Sequence, residues 1–239
     1  MQSTLTDAAA ELVALHLSDS ALPTGSFSHS YGLETYILQG QVADADTYAE
    51  WLFAYIRESA HSEGLVAWLA ARVVDKDLPL EDALEELKEL DALAHVSLIP
   101  RQIRTASQSM GKRMAKIADI VVKDSPLLDG YLDLVKSGEC YGSPPLVYGV
   151  ALRVAGISSE LVVAGYLMQL ATAINQNAIR GIPLGQDAGQ RVLAGAHPVI
   201  LETAQHIGSL GLGDVGACPP GLELAQITHE TQLSRMFMS

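Results

Sequence analysis

The sequence predicts an all-α fold, a single-domain helical bundle of roughly ten helices over residues 1–239, on three observations. Hydrophobic residues make up 49% of the chain and aromatics only 5%, so the apolar share is Ala, Leu, Val and Ile, the mixture of packed helices. Apolar residues recur at helical spacing through long windows. The few β-branched runs, such as residues 120–122, never alternate with polar residues over a length that demands a sheet.

Taken in order, Thr6 or Asp7 is expected to cap a helix running to His16 or Leu17. Residues 19–32 break the periodicity with Pro23, Gly25, Gly32 and several serines, which predicts a hydroxyl-rich loop. A short helix over residues 35–38 follows. Asp46 or Thr47 is expected to cap one long amphipathic helix with Trp51, Leu52, Tyr55, Ile56, Val66, Leu69 and Val73 on its buried side, divided at Gly64. Pro79 opens the next helix, with Leu80, Leu84, Leu87 and Ala94 on one face and Glu81, Asp82, Glu85, Glu86 and Glu89 on the other. The sign then inverts: Arg101, Arg104, Lys112, Arg113 and Lys116 occur with no carboxylate between Ala92 and Ala118. Such a basic face suits either ordinary solvation or an acidic partner. Pro126 and the run Gly142-Ser143-Pro144-Pro145 are breakers, and Ser158 or Ser159 caps an almost wholly apolar helix that belongs at the centre. Residues 187–210 continue helically through Pro198, and residues 211–221 form a loop. Residues 222–238 are expected to be a last helix, whose end exposes Met236, Phe237 and Met238 as a docking tail. The N-terminal segment and this tail are expected to be mobile without partners.

The formal charge of −13 weighs against nucleic acid, because phosphate binding needs clustered Lys and Arg over a broad surface. Cys140 and Cys218 stand far apart, with neither a disulfide framework nor a CxxC pair. The N-terminus lacks the pattern of a signal peptide, and the apolar window 161–174 is too short to span a bilayer, so a cytoplasmic protein without a membrane partner is expected.

Signals for chemistry are weak. Gly211, Gly213 and Gly216 spell G-x-G-x-x-G, but after a helix rather than a strand, and no P-loop sequence occurs. The seven histidines make no H-x-H or H-E-x-x-H spacing, so neither a built-in metal site nor a cofactor is expected. His229-Glu230 is read as a structural pair in preference to a metal contact, and Cys218 as an inert loop thiol. Ser26, Ser28, His29 and Ser30 put hydroxyls beside an imidazole without a nucleophile elbow, which favours turn and capping roles. The run NQNAIRGIPLGQDAGQ (residues 175–190) gathers amides that do not titrate near neutral pH. It suits a partner surface, in which Arg180 offers a bidentate fork, or an internal helix–helix turn.

Residues 18–34 (SDSALPTGSFSHSYGLE), 104–114 (RTASQSMGKRM), 177–190 (NAIRGIPLGQDAGQ) and 229–239 (HETQLSRMFMS) together resemble the urease accessory protein F (UreF) family. The chain departs from that pattern at Thr24 and Ser26, and at Gly142-Ser143-Pro144-Pro145, where the family carries His-x-Pro. The resemblance implies a non-enzymatic, all-helical, cytoplasmic homodimer that helps to build the nickel centre of urease. In that reading the chain bridges UreD/UreH and the GTPase UreG, and modulates GTP-dependent nickel delivery to apo-urease. The rival expectation is a nickel-binding metallochaperone acting on the metal itself. The candidate partner-binding residues are Ser28, His29, Tyr31, Gly32 and Glu34 in the first segment and Arg104 in the second. Arg180, Pro183, Leu184, Gly185, Gln186 and Gln190 belong to the third, and His229, Glu230, Arg235 and Phe237 to the last.

Overall fold

The computed structural model describes residues 2–238, with side chains from residue 8 onward. Among them are eleven α-helices and no strand: α1 (Gln2–Leu17), α2 (Leu33–Leu38), α3 (Ala45–Glu58), α4 (Glu63–Asp75), α5 (Leu80–Val96), α6 (Arg101–Val121), α7 (Pro126–Ser137), α8 (Pro144–Val154), α9 (Ser159–Gly181), α10 (Gln186–Ile207) and α11 (Pro220–His229). The all-α single-domain bundle expected from composition is what forms.

Local chemistry explains many of the ends. Ser125 Oγ accepts from Leu128 N at 3.3 Å and Pro126 takes the first position of α7, where its missing N–H costs nothing. Ser158 caps α9 in the same way through Leu161 N. Gly138, at φ +89°, ends α7 in the left-handed region that favours glycine.

Helices α4 and α9 stand between two apolar clusters. One is built mainly from α4 to α8 and includes Leu87, Leu128, Tyr131, Leu146 and Tyr148. The other joins α3, α9 and α10 through Leu52, Ile56, Leu167, Ile174 and Ile200. Helices α4 and α8 approach closely because residue 149 is glycine; a Cβ there would lie 2.5 Å from the Ala67 carbonyl oxygen. Asp91, fully buried on α5, accepts from Tyr131 Oη at 2.9 Å and from the amides of Tyr141, Gly142 and Ser143. Those bonds hold the breaker before α8 against α5 and satisfy a carboxylate that would otherwise be costly to bury.

Several expectations are corrected. Helix α1 already runs from Gln2, so Thr6 and Asp7 are not its caps; their side chains lie outside the described residues. Asp44 caps α3, and Thr47 is the reciprocal member of its capping box. The expected long helix is broken earlier than Gly64, by a 3₁₀ turn over Ser59–His61 that separates α3 from α4. Leu80 is 44% exposed instead of packed, since it begins α5 beyond the edge of the core. The first part of the amide run is helical: residues 175–181 are the last turns of α9. Helix α11 stops at His229, because the tail's backbone and side chains find partners elsewhere.

Candidate functional site

The tail's partners lie in the loop before α2. Tyr31 (φ +53°) and Gly32 (φ +95°) occupy left-handed backbone one after the other, a turn that begins α2 with Glu34 pointing inward, 5% exposed. Glu34 carboxylate oxygens accept from the backbone amides of Met236 and Phe237. Glu34 Oε2 also lies 2.9 Å from Nε2 of the fully buried His229, whose Nδ1 is 3.3 Å from Gln102 Oε1. Met238 N donates to Ser28 O and Ser30 N to Met238 O, both at 2.8 Å, pairing tail and loop like a fragment of parallel sheet. Phe237 is buried, so the aromatic expected to be exposed for docking is an internal anchor. Residue 239 of the last motif lies outside the described residues.

The end of α9 completes the arrangement. Asn177 Nδ2 donates to His29 O at 2.6 Å, and Arg180 Nη2 donates to Phe27 O at 2.8 Å and to Asn177 Oδ1. The Arg180 guanidinium lies over Phe27 at 4.3 Å and near Phe237 at 5.2 Å, so one cation joins loop, tail and helix. On the outer side of the loop and tail Phe27, Met236 and Met238 remain 48%, 65% and 60% exposed, apolar side chains presented to solvent by the two segments that the junction joins.

The structure therefore brings together Ser28, His29, Glu34, Arg180, His229 and Phe237, with Tyr31 and Gly32 shaping the turn. It sets the others apart. Leu184 is buried, whereas Pro183, Gly185, Gln186 and Gln190 are exposed at the start of α10. Arg104 donates to Leu98 O and Ile99 O and braces the connection between α5 and α6. Glu230 accepts from Gln102 N at 2.9 Å and lies 3.8 Å from Arg101, and Arg235 is exposed on the tail. The amide question has a divided answer: Asn175 and Asn177 are internal, Gln186 and Gln190 are exposed. Phe27 and Asp91 were missed. Phe27 is one of only three phenylalanines and sits in a Gly/Ser loop, and Asp91 falls four residues after the core Leu87; both were visible signals.

Between α4, α9, α6 and the segment before α11 lies a cleft of roughly 1340 Å³ including its mouth, reached by His29 and Met110 from the motif segments. Burial lifts the Glu63 carboxyl at its wall to about 7, against the opposing effect of the Tyr55 hydroxyl, which donates to it at 3.2 Å. Cys218 is exposed on the connection before α11, and partial desolvation together with the nearby Glu223, Glu58 and Glu63 carboxylates raises its thiol to about 11. Among the described residues no three His, Cys, Asp or Glu side chains gather to hold a metal, and no helix is long and apolar enough to cross a membrane. Gly211, Gly213 and Gly216 lie in the connection between α10 and α11, without the strand that a dinucleotide site requires.

Fold and site together define a class: an all-helical protein whose distinctive residues tie its two ends together and shape a mixed cationic and apolar surface. Comparison with known proteins places it further. The UreF family model matches residues 42–197. The urease accessory protein UreF of Arthrobacter sp. (strain FB24) is 42% identical over 230 residues, 96% of this chain and 97% of that protein. That of Paenarthrobacter aurescens (strain TC1) is 40% identical over 96% of this chain and 98% of its own length. The UreF protein of Bacillus sp. (strain TB-90) is 37% identical over 95% and 98%. The chain belongs to the UreF family.

Proposed function

We propose that this chain is a non-catalytic urease accessory protein, a scaffold in the maturation of the urease nickel centre. It bridges UreD/UreH and the GTPase UreG, acts as a homodimer in the cytoplasm, and modulates GTP-dependent nickel delivery to apo-urease. The observation that carries this reading is the junction at Arg180. Three of the segments that mark the family meet there, and the loop and tail they join expose Phe27, Met236 and Met238 as an apolar patch, with Arg180 over the Phe27 ring. Arginine, aromatic and methionine side chains are the types enriched where protein interfaces concentrate their binding energy. UreD/UreH is the partner assigned to this patch.

The test is co-purification of the chain with UreD/UreH and UreG, with and without GTP. The variants are Met236→Asp and Met238→Asp, which change exposed side chains while leaving the backbone pairing with Ser28 and Ser30 intact. The expected result is normal helical content and loss of UreD/UreH from the purified complex. Wild-type recovery of all partners by both variants would overturn the assignment of this surface.

A further inference from the structure

Helix α6 carries Arg101, Arg104, Lys112, Arg113 and Lys116, five of the chain's 15 Lys and Arg, within residues 101–116. Over about 22 Å of helix this makes a local cationic rod on a molecule of net charge −13. Its own electrostatics disfavour it. Arg101 and Arg104 stand at the positive end of the helix dipole, under a Pro100 N-cap that supplies no side-chain bond. Lys112 and Lys116 are like charges one turn apart.

The surroundings neutralise only one end. Arg101, 78% exposed at its side chain, lies 3.8 Å from Glu230 at the end of α11, and Arg104 is turned back onto the Leu98 and Ile99 carbonyls. Arg113 Nε donates only to the Pro23 carbonyl, at 3.4 Å, in the loop before α2. Lys112 and Lys116 are exposed, and among the described residues neither forms an ion pair. The nearest carboxylate along the helix is Asp119. The buried side of α6, with Ile103, Met110, Gly111, Met114 and Ala118, faces inward, so the cations are the outer surface of an otherwise anchored helix. The helix touches the chain segments on either side of that junction, Glu230 at the end of α11 through Gln102 N and Pro23 in the loop before α2 through Arg113.

We infer that the exposed face of α6 centred on Lys112, Arg113 and Lys116 docks an acidic segment of a partner protein. It is a second contact beside the Phe27–Met236–Met238 patch, and this inference rests on the accessory role proposed above. Charge complementarity selects the occupant: on a strongly acidic molecule this is the face that a carboxylate-rich surface can approach without repulsion. Nucleic acid is disfavoured, because the cations are confined to one helix and the remaining surface repels phosphate. The contact acts chiefly on the rate of encounter, since exposed charges steer association more than they hold a complex.

The test uses the full chain with the partners named above. The Lys112→Glu/Lys116→Glu double variant is compared with wild type for partner association rates at low and high salt, and the wild-type complex is treated with a zero-length carbodiimide. The expected result is an association rate about tenfold lower for the variant at low salt, a difference that closes when salt shortens the screening length to about 3 Å. Cross-links from Lys112 or Lys116 to partner carboxylates are expected alongside it. A wild-type rate for the variant, or cross-links only to Glu81, Glu85 or Glu89 of a second copy of this chain, overturns the inference while the accessory role stands. Failure of the wild-type chain to bind any of those partners overturns both.

Discussion

Tyr48 is fully buried and its hydroxyl has no hydrogen-bond partner among the described residues, whereas the equally buried Tyr131 donates to Asp91 at 2.9 Å. The two tyrosines should respond oppositely to loss of the oxygen. Tyr48→Phe is expected to leave stability unchanged or raise it by up to about 1 kcal/mol, and Tyr131→Phe to lower it by about 1–3 kcal/mol, in urea unfolding. Glu63 gives a pH dependence of known sign. Its carboxyl rises from 4.5 to about 7 on folding, so between those values the folded chain keeps a proton that the unfolded chain has released. Its contribution is therefore fully present below about 4.5 and is lost as pH rises through 7. Glu63→Gln, which can still accept from Tyr55, is expected to be more stable than wild type by about 1–3 kcal/mol at pH 8, with no gain at pH 4. Neither residue was legible as special, because an orphaned hydroxyl or a desolvated carboxyl depends on neighbours distant in sequence.

At the scale of elements, the contacts that orient helices are often the absence of a side chain. Gly111 of α6 lies against the breaker before α8, where an added Cβ would fall 1.5 Å from the Gly142 carbonyl oxygen. Gly142 cannot retreat easily, since its own amide is held by Asp91 and its φ is +78°. Gly111→Ala is expected to lower the thermal midpoint by 10 °C or more, roughly 3 kcal/mol for a chain of this size, despite alanine's better helix propensity. The motif containing Gly111 was visible in sequence, but its packing role was not. Ends set by neighbouring residues were easier to read: Ser158 caps α9 as its sequence suggests. Asp44 was missed because Thr47, which also looks like a cap, serves as its reciprocal partner three residues on.

For the whole molecule, closure of the tail onto the loop before α2 determines what surface is presented. Glu34→Ala removes the acceptor of the Met236 and Phe237 amides and leaves His229 without its carboxylate. Cleavage by trypsin after the exposed Arg235 is expected to accelerate at least about tenfold, while far-UV circular dichroism keeps the signal of the main bundle. An unchanged cleavage rate would show that Glu34 does not hold the tail. By itself the sequence determined the helical class, most helix positions and the family, because periodicity, breakers and short motifs are local patterns that survive without coordinates. The tertiary structure alone decided that Phe237 turns inward, that Asn177 and Arg180 bind the first segment to the last, and that Lys112 and Lys116 of α6 stay exposed, with no ion pair among the described residues. The inward turn of Phe237 and the binding of the two segments depend on groups far apart in the chain finding the same hydrogen bond or ring face, as Asn177 and His29 do across 148 positions.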